Sequence, residues 1–575
     1  MGRSTLLVVA SALLGPLAAT APLRAADPLD SIPPSAQLVV VSDHPRKLAE
    51  AVTGLEALQK AQKLPQYRGV YDSAATKRAF QLLALFEKEL GAKWPELLDQ
   101  LAGDGAAFGL QFATDPAPAI LVLQGKDAEQ VKRATDLALK TVEDELARQG
   151  AKDGVKRYTI AGCEAVKFGD AHAARVGAAT IISSNEAMLK AAVLLSTTDR
   201  AKSPVHKARR DAFKLLPKDP LAWLWVDFAS VKQSKPTKDF FDATRQDFLQ
   251  TLVVGGTIDC LKRADFIAAG LYRNANGFQI AVRLPAGRSE FPPEFQLHVP
   301  PKGETGTLPP LEPPGTIYSH SLHLDIGHLW LNRKTLLNDE IRGGLEKADR
   351  DISKILPGSV KFGELLAMWG PHHRIVVANH DQLPYTKQPG LRLPAFGYVA
   401  TGRDPKFARS VEPALRSAAL IASLQFGLKM VEHTHEGVGI VAYRFPENKE
   451  LADDPQGIRF NFEPCFAIVG DELVVASTVE LCKKLVTELK SPRSGAKGGS
   501  AVVRGTFSAK GGADFLAARP EPYITDAILT RGIGLEEARK EVAALVAWVK
   551  TLGTGRVELD ITEKEYRLDL VWDVR

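Results

Sequence analysis

The sequence predicts an α+β protein built from two tandem copies of one unit, each copy a largely antiparallel sheet with helices packed on one face. Many short strands, hairpins and intervening helices are typical of this class. Three matched segments indicate the duplication. Their residue numbers differ by 280, 277 and 293, and these offsets vary only by amounts that fit insertions in loops. The matches are Pro33-Pro34 with Pro313-Pro314, Gly125-Lys126-Asp127 with Gly402-Arg403-Asp404, and Arg175-Val176-Gly177 with Ile468-Val469-Gly470.

Residues 1–26 have the pattern of a secretory signal peptide. Arg3 gives a positive start, Leu6–Ala19 is apolar but too short to span a bilayer, and Ala25-Ala26 supplies small residues before cleavage. We therefore expect an exported protein, periplasmic or extracellular, with no transmembrane segment after signal removal. Retention of the segment as an N-terminal anchor is the alternative.

Composition excludes some functions. The 575 residues are 45% hydrophobic and 25% charged, which are ordinary globular values. A net charge of +5 is too small to indicate nucleic-acid binding. The cysteines form no Cys-x-x-Cys pair, so they predict neither a zinc ribbon nor a thioredoxin-type site, and no disulfide is assigned. They are Cys163, Cys260, Cys465 and Cys482.

Domain boundaries follow from a proline-rich segment and two weaker joints. Residues 285–315 hold nine prolines in 31 positions, and proline removes a backbone donor, so this segment is predicted to be a stiff, extended linker. Joints near 197–219 and 491–500 divide each copy into front and back parts. The predicted domains are 27–200 and 201–284 for copy one, 285–315 for the linker, and 316–490 and 491–575 for copy two.

The front part of copy one begins with a buried strand at Leu38–Val41. A helix over 75–101 follows, since apolar residues recur there at spacings of three and four. Asp127 is predicted to cap a second helix, and Asn185–Leu195 forms a third. The remaining strands are predicted at Ala106–Phe112, Ala119–Leu123, Tyr158–Ile160, Glu164–Phe168, Ala173–Val176 and Thr180–Ser183.

Copy two repeats this order. Asp404 is predicted to cap the counterpart of the second helix, and Ser477 with Glu480 forms a capping box at the third. Each copy then ends with a strand, a helical stretch and a hairpin. Their strands are predicted at Leu221–Phe228, Phe266–Tyr272 and Phe278–Leu284 in copy one, and Val502–Phe507, Arg556–Ile561 and Tyr566–Trp572 in copy two.

Copy two contains the candidates for a metal site. Residues two apart on a strand share a face, so His323 with Asp325, or His433 with His435, could bind one ion. Zinc requires three or four converging ligands, and sequence does not reveal convergence. Surface or hydrogen-bonded histidines are the alternative, and neither a catalytic residue nor a cofactor is predicted. The candidates are His320, His323, Asp325, His433 and His435.

Motifs for other chemistries are missing from the sequence. It has no Gly-x-Ser-x-Gly elbow, and Gly103–Gly109 follows a helix instead of opening one as a dinucleotide loop does. The leading hypothesis is a non-enzymatic exported protein that binds or scaffolds a partner at the cell envelope. The alternatives are a carrier of an apolar ligand held between sheet and helices, and a metal-dependent hydrolase that uses the copy-two histidines.

Two pairs of segments resemble a bacterial exported-protein family known only as a domain of unknown function. One pair is the Pro-Pro, strand and Asp openings at 33–43 and 313–325. The other is the strand, Gly, basic residue, Asp and helix units at 119–142 and 395–415. The resemblance covers residues 30–200 and 311–490. It implies residence in the envelope or outside the cell, and no catalytic residue transfers from it. The expected partner is an unidentified envelope protein or an apolar ligand.

Overall fold

The computed structural model contains two compact units. The first comprises Met1–Glu50, Ala74–Phe213 and Leu221–Trp225, and the second comprises Ala51–Ser73, Lys214–Pro220 and Val226–Arg575. The predicted signal at 1–26 lies outside the described residues. These are 27–65, 67, 72–112, 116–148, 154–197, 204–233, 235–242, 247–354, 356, 360–380, 382–404, 406–449, 453–491 and 499–574.

The amino-terminal half alternates helices with short strands. Its strands are β1 (Leu38–Ser42), β2 (Gly105–Leu110), β3 (Ala119–Gln124), β4 (Lys156–Ile160), β5 (Cys163–Phe168), β6 (Ala171–Val176), β7 (Ala179–Ser183), β8 (Ala222–Asp227), β9 (Phe266–Arg273) and β10 (Gly277–Leu284). Its helices are α1 (Pro45–Thr53), α2 (Glu56–Ala61), α3 (Ala74–Leu90), α4 (Leu97–Ala102), α5 (Ala128–Arg148), α6 (Glu186–Thr197), α7 (Pro204–Phe213), α8 (Phe228–Lys232), α9 (Lys235–Asp242) and α10 (Phe248–Arg263). The single helix predicted over 75–101 is two helices, because Gly91 takes a left-handed φ of 70° and ends α3.

The carboxyl-terminal half follows the same alternation. Its strands are β11 (Thr316–His323), β12 (Trp369–Ala378), β13 (Ala395–Gly402), β14 (Lys429–His435), β15 (Val438–Arg444), β16 (Cys465–Val469), β17 (Glu472–Ala476), β18 (Val503–Ser508), β19 (Thr554–Ile561) and β20 (Tyr566–Asp573). Its helices are α11 (Ile326–Leu331), α12 (Arg333–Leu336), α13 (Asp339–Ser353), α14 (Phe362–Met368), α15 (Lys406–Phe426), α16 (Val479–Lys490), α17 (Ala509–Ala518), α18 (Glu521–Arg531) and α19 (Leu535–Thr551). No helix that the structure describes combines the length and the apolar character needed to cross a membrane.

Each unit contains an antiparallel sheet, and the fold is mixed α+β. In the first unit the strand order is β1-β2-β3-β7-β6-β5-β4. In the second unit the order is β9-β10-β20-β19-β18-β11-β12-β13-β17-β16-β15-β14. The run from β11 to β14 therefore has the strand order of the first unit.

The two runs of strands also share their pairing registers. Facing pairs in the first unit have counterparts in the second at residue-number offsets of 277 for β3, 275 for β5 and 293 for β6 and β7. Val122 faces Ile181, as Val399 faces Val474. Ala165 faces Ala174, as Ile440 faces Ala467. Ala174 faces Ile181, as Ala467 faces Val474. A slip of one residue would turn every side chain to the other face, so equal registers mean equal core-facing positions.

Helices cover both faces of the sheet in the second unit, so the expectation of helices on one face is wrong there. Ile440 of β15 packs in one core cluster with Leu481 and Leu485 of α16. Val441, the next residue, packs with Phe407 of α15 in a different cluster. Successive strand residues point to opposite faces, which places α15 and α16 on opposite sides of the sheet.

Local hydrogen bonds confirm one predicted helix cap and correct another. Asp127 accepts hydrogen bonds from the backbone of α5, including Gln130 N at 3.1 Å. The capping box predicted at Ser477 is wrong. Thr478 is the N-cap of α16, and the Ser477 hydroxyl instead accepts from Phe396 N on β13 at 2.8 Å.

The proline-rich segment 285–315 is packed against the second unit and is not a solvated, extended strand. It contains 3-10 helices at Arg288–Glu290 and Pro293–His298. Leu297 is fully buried, in a cluster that includes Leu252 of α10 and Ile341 of α13. Residues of α10 and of α13 therefore pack against the same buried cluster.

The converse contact is made by a helix that follows β1. Trp548 Nε1 of α19 donates a hydrogen bond of 2.8 Å to the carbonyl of Ala57 in α2. Helix α19 thus contacts a helix from the other half of the sequence, and α10 shares an apolar cluster with one.

Candidate functional site

The histidines of β11 are separated by the sheet itself. His320 and His323 are three positions apart, so their side chains lie on opposite faces. His320 Nδ1 is hydrogen-bonded to Tyr318 Oη at 3.0 Å, and His323 Nδ1 donates to the Gly306 carbonyl at 3.0 Å. Burial lowers the pKa of His323 to about 3, so its ring is neutral near pH 7.

The other three candidate ligands lie elsewhere. Asp325 caps α11 by accepting from His328 N at 2.7 Å, and it forms an ion pair of 2.6 Å with Arg403. His433 and His435 lie on β14, six strands along the sheet from β11, which is on the order of 25–30 Å. Within the described ranges, no group of three or more His, Cys, Asp or Glu side chains is placed to hold a metal ion.

A cavity of about 310 Å³ lies between α5 and the outer strands of the first-unit sheet, and we call it the α5 cavity. It is closed on one side by a helix and on the other by β4, β5, β6 and β7. Its lining residues are Thr135, Asp136 and Leu139 of α5, Arg157, Tyr158 and Thr159 of β4, Glu164, Ala165 and Val166 of β5, Ala173, Ala174 and Arg175 of β6, and Thr180 of β7.

Short side chains beneath α5 account for this cavity. The helix is anchored on the sheet near its start, where Val131 and Ala134 are buried. One position later, Thr135 Oγ1 donates to the Val131 carbonyl at 2.7 Å and lies 3.4 Å from Thr180 Oγ1. Ala173 projects only a methyl group toward the same face. The helix backbone cannot approach closer once it rests on its anchors, so space remains.

Four charged side chains line the cavity. Arg157 donates to Glu143 of α5 at 2.8 Å, and Arg175 donates to Glu164 at 3.2 Å. Arg175 is the more buried arginine, with 22% of its side chain exposed against 63% for Arg157. Asp136 is exposed, and Glu164 is 85% exposed. The cavity therefore has a short apolar wall with one half-buried cation beside it.

A cavity of about 270 Å³ occupies the corresponding place in the second unit, and its lining includes Phe466 and Ile468. Phe466 packs with Phe407 and Leu473 in one core cluster on the face covered by α15. The register positions of Phe466 and Leu473 are held in the first unit by Ala173 and Thr180. The first unit thus has smaller side chains than the second at these two positions of its cavity.

The charged residues of this second cavity are bound to one another. Arg416 of α15 donates to Glu412 at 3.1 Å and to Glu432 at 3.0 Å. Leu139 and Arg157 hold the positions of Arg416 and Glu432 in the first unit. The two cavities therefore share their position in the fold and differ in their chemistry.

A wider apolar groove of about 600 Å³ lies between α18 and α19. Isoleucine, valine and alanine form most of its lining, with Glu521, Arg539 and Lys550 among them. Its polar groups do not distinguish one kind of occupant from another.

The sequence pointed to an apolar cleft between sheet and helix without identifying any residue that lines it. A signal in the sequence is that small residues in the first half align with large apolar residues in the second. When Arg175 is aligned with Ile468, Ala173 aligns with Phe466 and Thr180 aligns with Leu473. Reading those substitutions as lost core volume would have located the cavity.

No family model matches the chain, and no curated protein matches it. Among solved structures, the chain is similar to one titled "Structure of crystal form I of TP0453", at 12% identity and a TM-score of 0.24. The similarity covers 46% of this chain and 81% of that one. Similarity at that level carries no inference about fold or function.

Proposed function

We propose that this is a non-enzymatic exported protein that binds a small, largely apolar ligand in the α5 cavity. The cavity is the observation that carries the proposal. Its volume of about 310 Å³ lies at the lower end of the range of roughly 300–1,000 Å³ typical of small-molecule sites. Its combination of apolar wall and a few polar groups is also typical of such sites.

The chemistry of the lining favours binding over catalysis. None of the thirteen lining residues is a histidine, cysteine or serine, the usual nucleophiles and general bases. Both carboxylates, Asp136 and Glu164, are exposed to solvent. The buried part of the wall is apolar and includes Val166, which is 6% exposed.

We also infer that the chain arose by tandem duplication, with copies 27–284 and 316–575 joined by 285–315. The shared strand order and registers support this inference. So do the hydrogen bond between α2 and α19 and the apolar cluster that α10 and α13 share. On this inference the two cavities descend from one site, whose lining carries Ala173 and Arg175 in copy one and Phe466 and Ile468 in copy two.

Export to the periplasm or beyond the cell rests on the composition of residues 1–26. A small apolar compound is poorly soluble in those aqueous compartments, so a carrier for it is useful there. The expected partner is either that ligand or an envelope protein that receives it, and nucleic acid is not expected.

Native mass spectrometry on protein purified without detergent tests the proposal. We expect wild-type protein to retain a small molecule, or to bind members of a panel of medium-chain alkanes, alcohols and acids. Ala173→Phe, which introduces the copy-two residue, should abolish this binding. Arg133→Phe adds the same ring at an exposed position of α5 that does not line the cavity and should not affect it. Wild-type protein that binds none of the panel, or an Ala173→Phe variant that binds as wild type does, would contradict the proposal.

A further inference from the structure

We propose that the ligand of the α5 cavity is a single-chain amphipathic anion and that Arg175 binds its head group. This inference rests on the proposed function and specifies the ligand class. Arg175 lies on β6, two residues after Ala173, so both side chains point to the face covered by α5. A chain seated over Ala173 would therefore have the guanidinium at one end.

The present partner of Arg175 holds it weakly. Glu164 accepts from Arg175 at 3.2 Å, and its side chain is 85% exposed. Exposed ion pairs contribute about 0–1 kcal/mol, so an anion that reaches Arg175 from inside the cavity displaces little. A guanidinium has five N–H donors in a planar fork, which suits bidentate binding of a carboxylate or phosphate.

The remaining charges around the cavity do not offset this preference. Asp136 and Glu164 are negative but exposed, so water screens them strongly. Arg157 is positive, mostly exposed and bound to Glu143. Arg175 is the least exposed of the four charged side chains that line the cavity. Interactions between charges strengthen as the local dielectric constant falls.

Size restricts the apolar part of the ligand. A cavity of about 310 Å³ is too small for a two-chain lipid and suits one alkyl chain of medium length. The second unit provides an internal contrast. Ile468 stands at the position of Arg175, Phe466 at that of Ala173, and Arg416 is bound by two glutamates. We expect no such anion to bind there.

Isothermal titration of the full mature protein with three ligands of equal chain length tests the inference. Octanoate and octyl phosphate carry the anionic head in two forms, and octanol carries none. We expect both anions to bind more tightly than octanol. Arg175→Gln should weaken the binding of the anions about tenfold or more, the loss of one charge-assisted hydrogen bond, and change octanol binding less than about twofold.

Two variants complete the design. Arg175→Lys keeps the charge without the fork and should retain part of the anion preference. Arg133→Gln removes a positive charge from the exposed side of α5 and should change no affinity, which controls for net charge. Circular dichroism confirms that each variant is folded.

The outcomes separate the two proposals. Equal loss of octanol and octanoate binding in Arg175→Gln, or no loss of either, would overturn the role of Arg175 and leave the apolar site in place. Failure of all three ligands to bind wild-type protein would overturn both. Anion binding that survives Ala173→Phe but not Arg175→Gln would place the anion outside the cavity and overturn the inference.

Discussion

Ala173 and Phe466 occupy the same register position in their sheets. Ala173 faces Val166 on one neighbouring strand and Ile182 on the other, and Phe466 faces Val441 and Val475. One site therefore carries a methyl group in the first unit and a phenyl ring in the second. The phenyl ring packs with Phe407 of α15 and lines the second cavity, whereas the methyl group lines the α5 cavity.

Truncation of Phe466 is expected to destabilise the second unit. Phe466 is 6% exposed and packs with residues of α15, so Phe466→Ala should lower the free energy of unfolding by about 3–5 kcal/mol. Urea denaturation measures this value. Leu424→Ala, at a position of α15 that is 80% exposed, is the matched control and should cost little. Equal effects of the two substitutions would show that Phe466 is not a core residue.

The buried ion pair of Arg374 with Glu472 should show strong coupling. Their side chains are 2% and 16% exposed, and Ala107 and Ala179 hold the corresponding positions in the first unit. Removing either partner alone leaves a buried charge and should cost about 3–5 kcal/mol. The double replacement by alanine, which copies the first unit, should cost clearly less than the sum. Additive costs in a double-mutant cycle would rule out coupling.

Acid should weaken the second unit through two buried histidines. Burial lowers the pKa of His323 to about 3 and that of His373 to about 4, against about 6.5 in an unfolded chain. The unfolded chain thus binds protons that the folded protein does not. The contribution to stability is fully present above pH 6.5. As pH drops toward 4, the free energy of unfolding falls by at most about 1.4 kcal/mol per pH unit for each histidine. Urea midpoints between pH 7 and 4.5 measure this slope, and His373→Gln should reduce it. An unchanged slope in that variant would contradict the assignment.

Cysteine reactivity should differ between the two units. Burial raises the pKa of Cys260 to about 12, and the hydrogen bond with Cys482 raises the pKa of Cys465 above its usual range. Thiols react as thiolates, so these buried groups should resist iodoacetamide in reduced native protein. The half-buried Cys163 should be alkylated first, as peptide mass spectrometry can show. Modification of Cys465 at the rate of Cys163 would contradict this packing.

Strand positions were predictable from sequence because short apolar runs end at turn residues. The strand predicted at Leu38–Val41 is β1, Leu38–Ser42, and that predicted at Tyr566–Trp572 is β20, Tyr566–Asp573. The side of the sheet occupied by each helix was not predictable. Ile440–Tyr443 is apolar at every position, a pattern that carries no alternation from which to assign one buried face.

Features that depend on contacts between residues far apart in the chain could not be predicted from the sequence. Ser477 and Thr478 are equally good N-cap residues by type, and the choice is made by Phe396, which lies 81 positions away and uses the Ser477 hydroxyl. The α5 cavity depends likewise on Thr135 and Ala173, on elements far apart in the chain. Volume lost across an interface is visible only when both sides are known.

A crystal soaked with octanoate that carries bromine on its terminal carbon would locate the bound ligand. We expect an anomalous bromine peak between α5 and β6, with the carboxylate at Arg175. Absence of bromine from that space, or bromine in the groove between α18 and α19 instead, would contradict it.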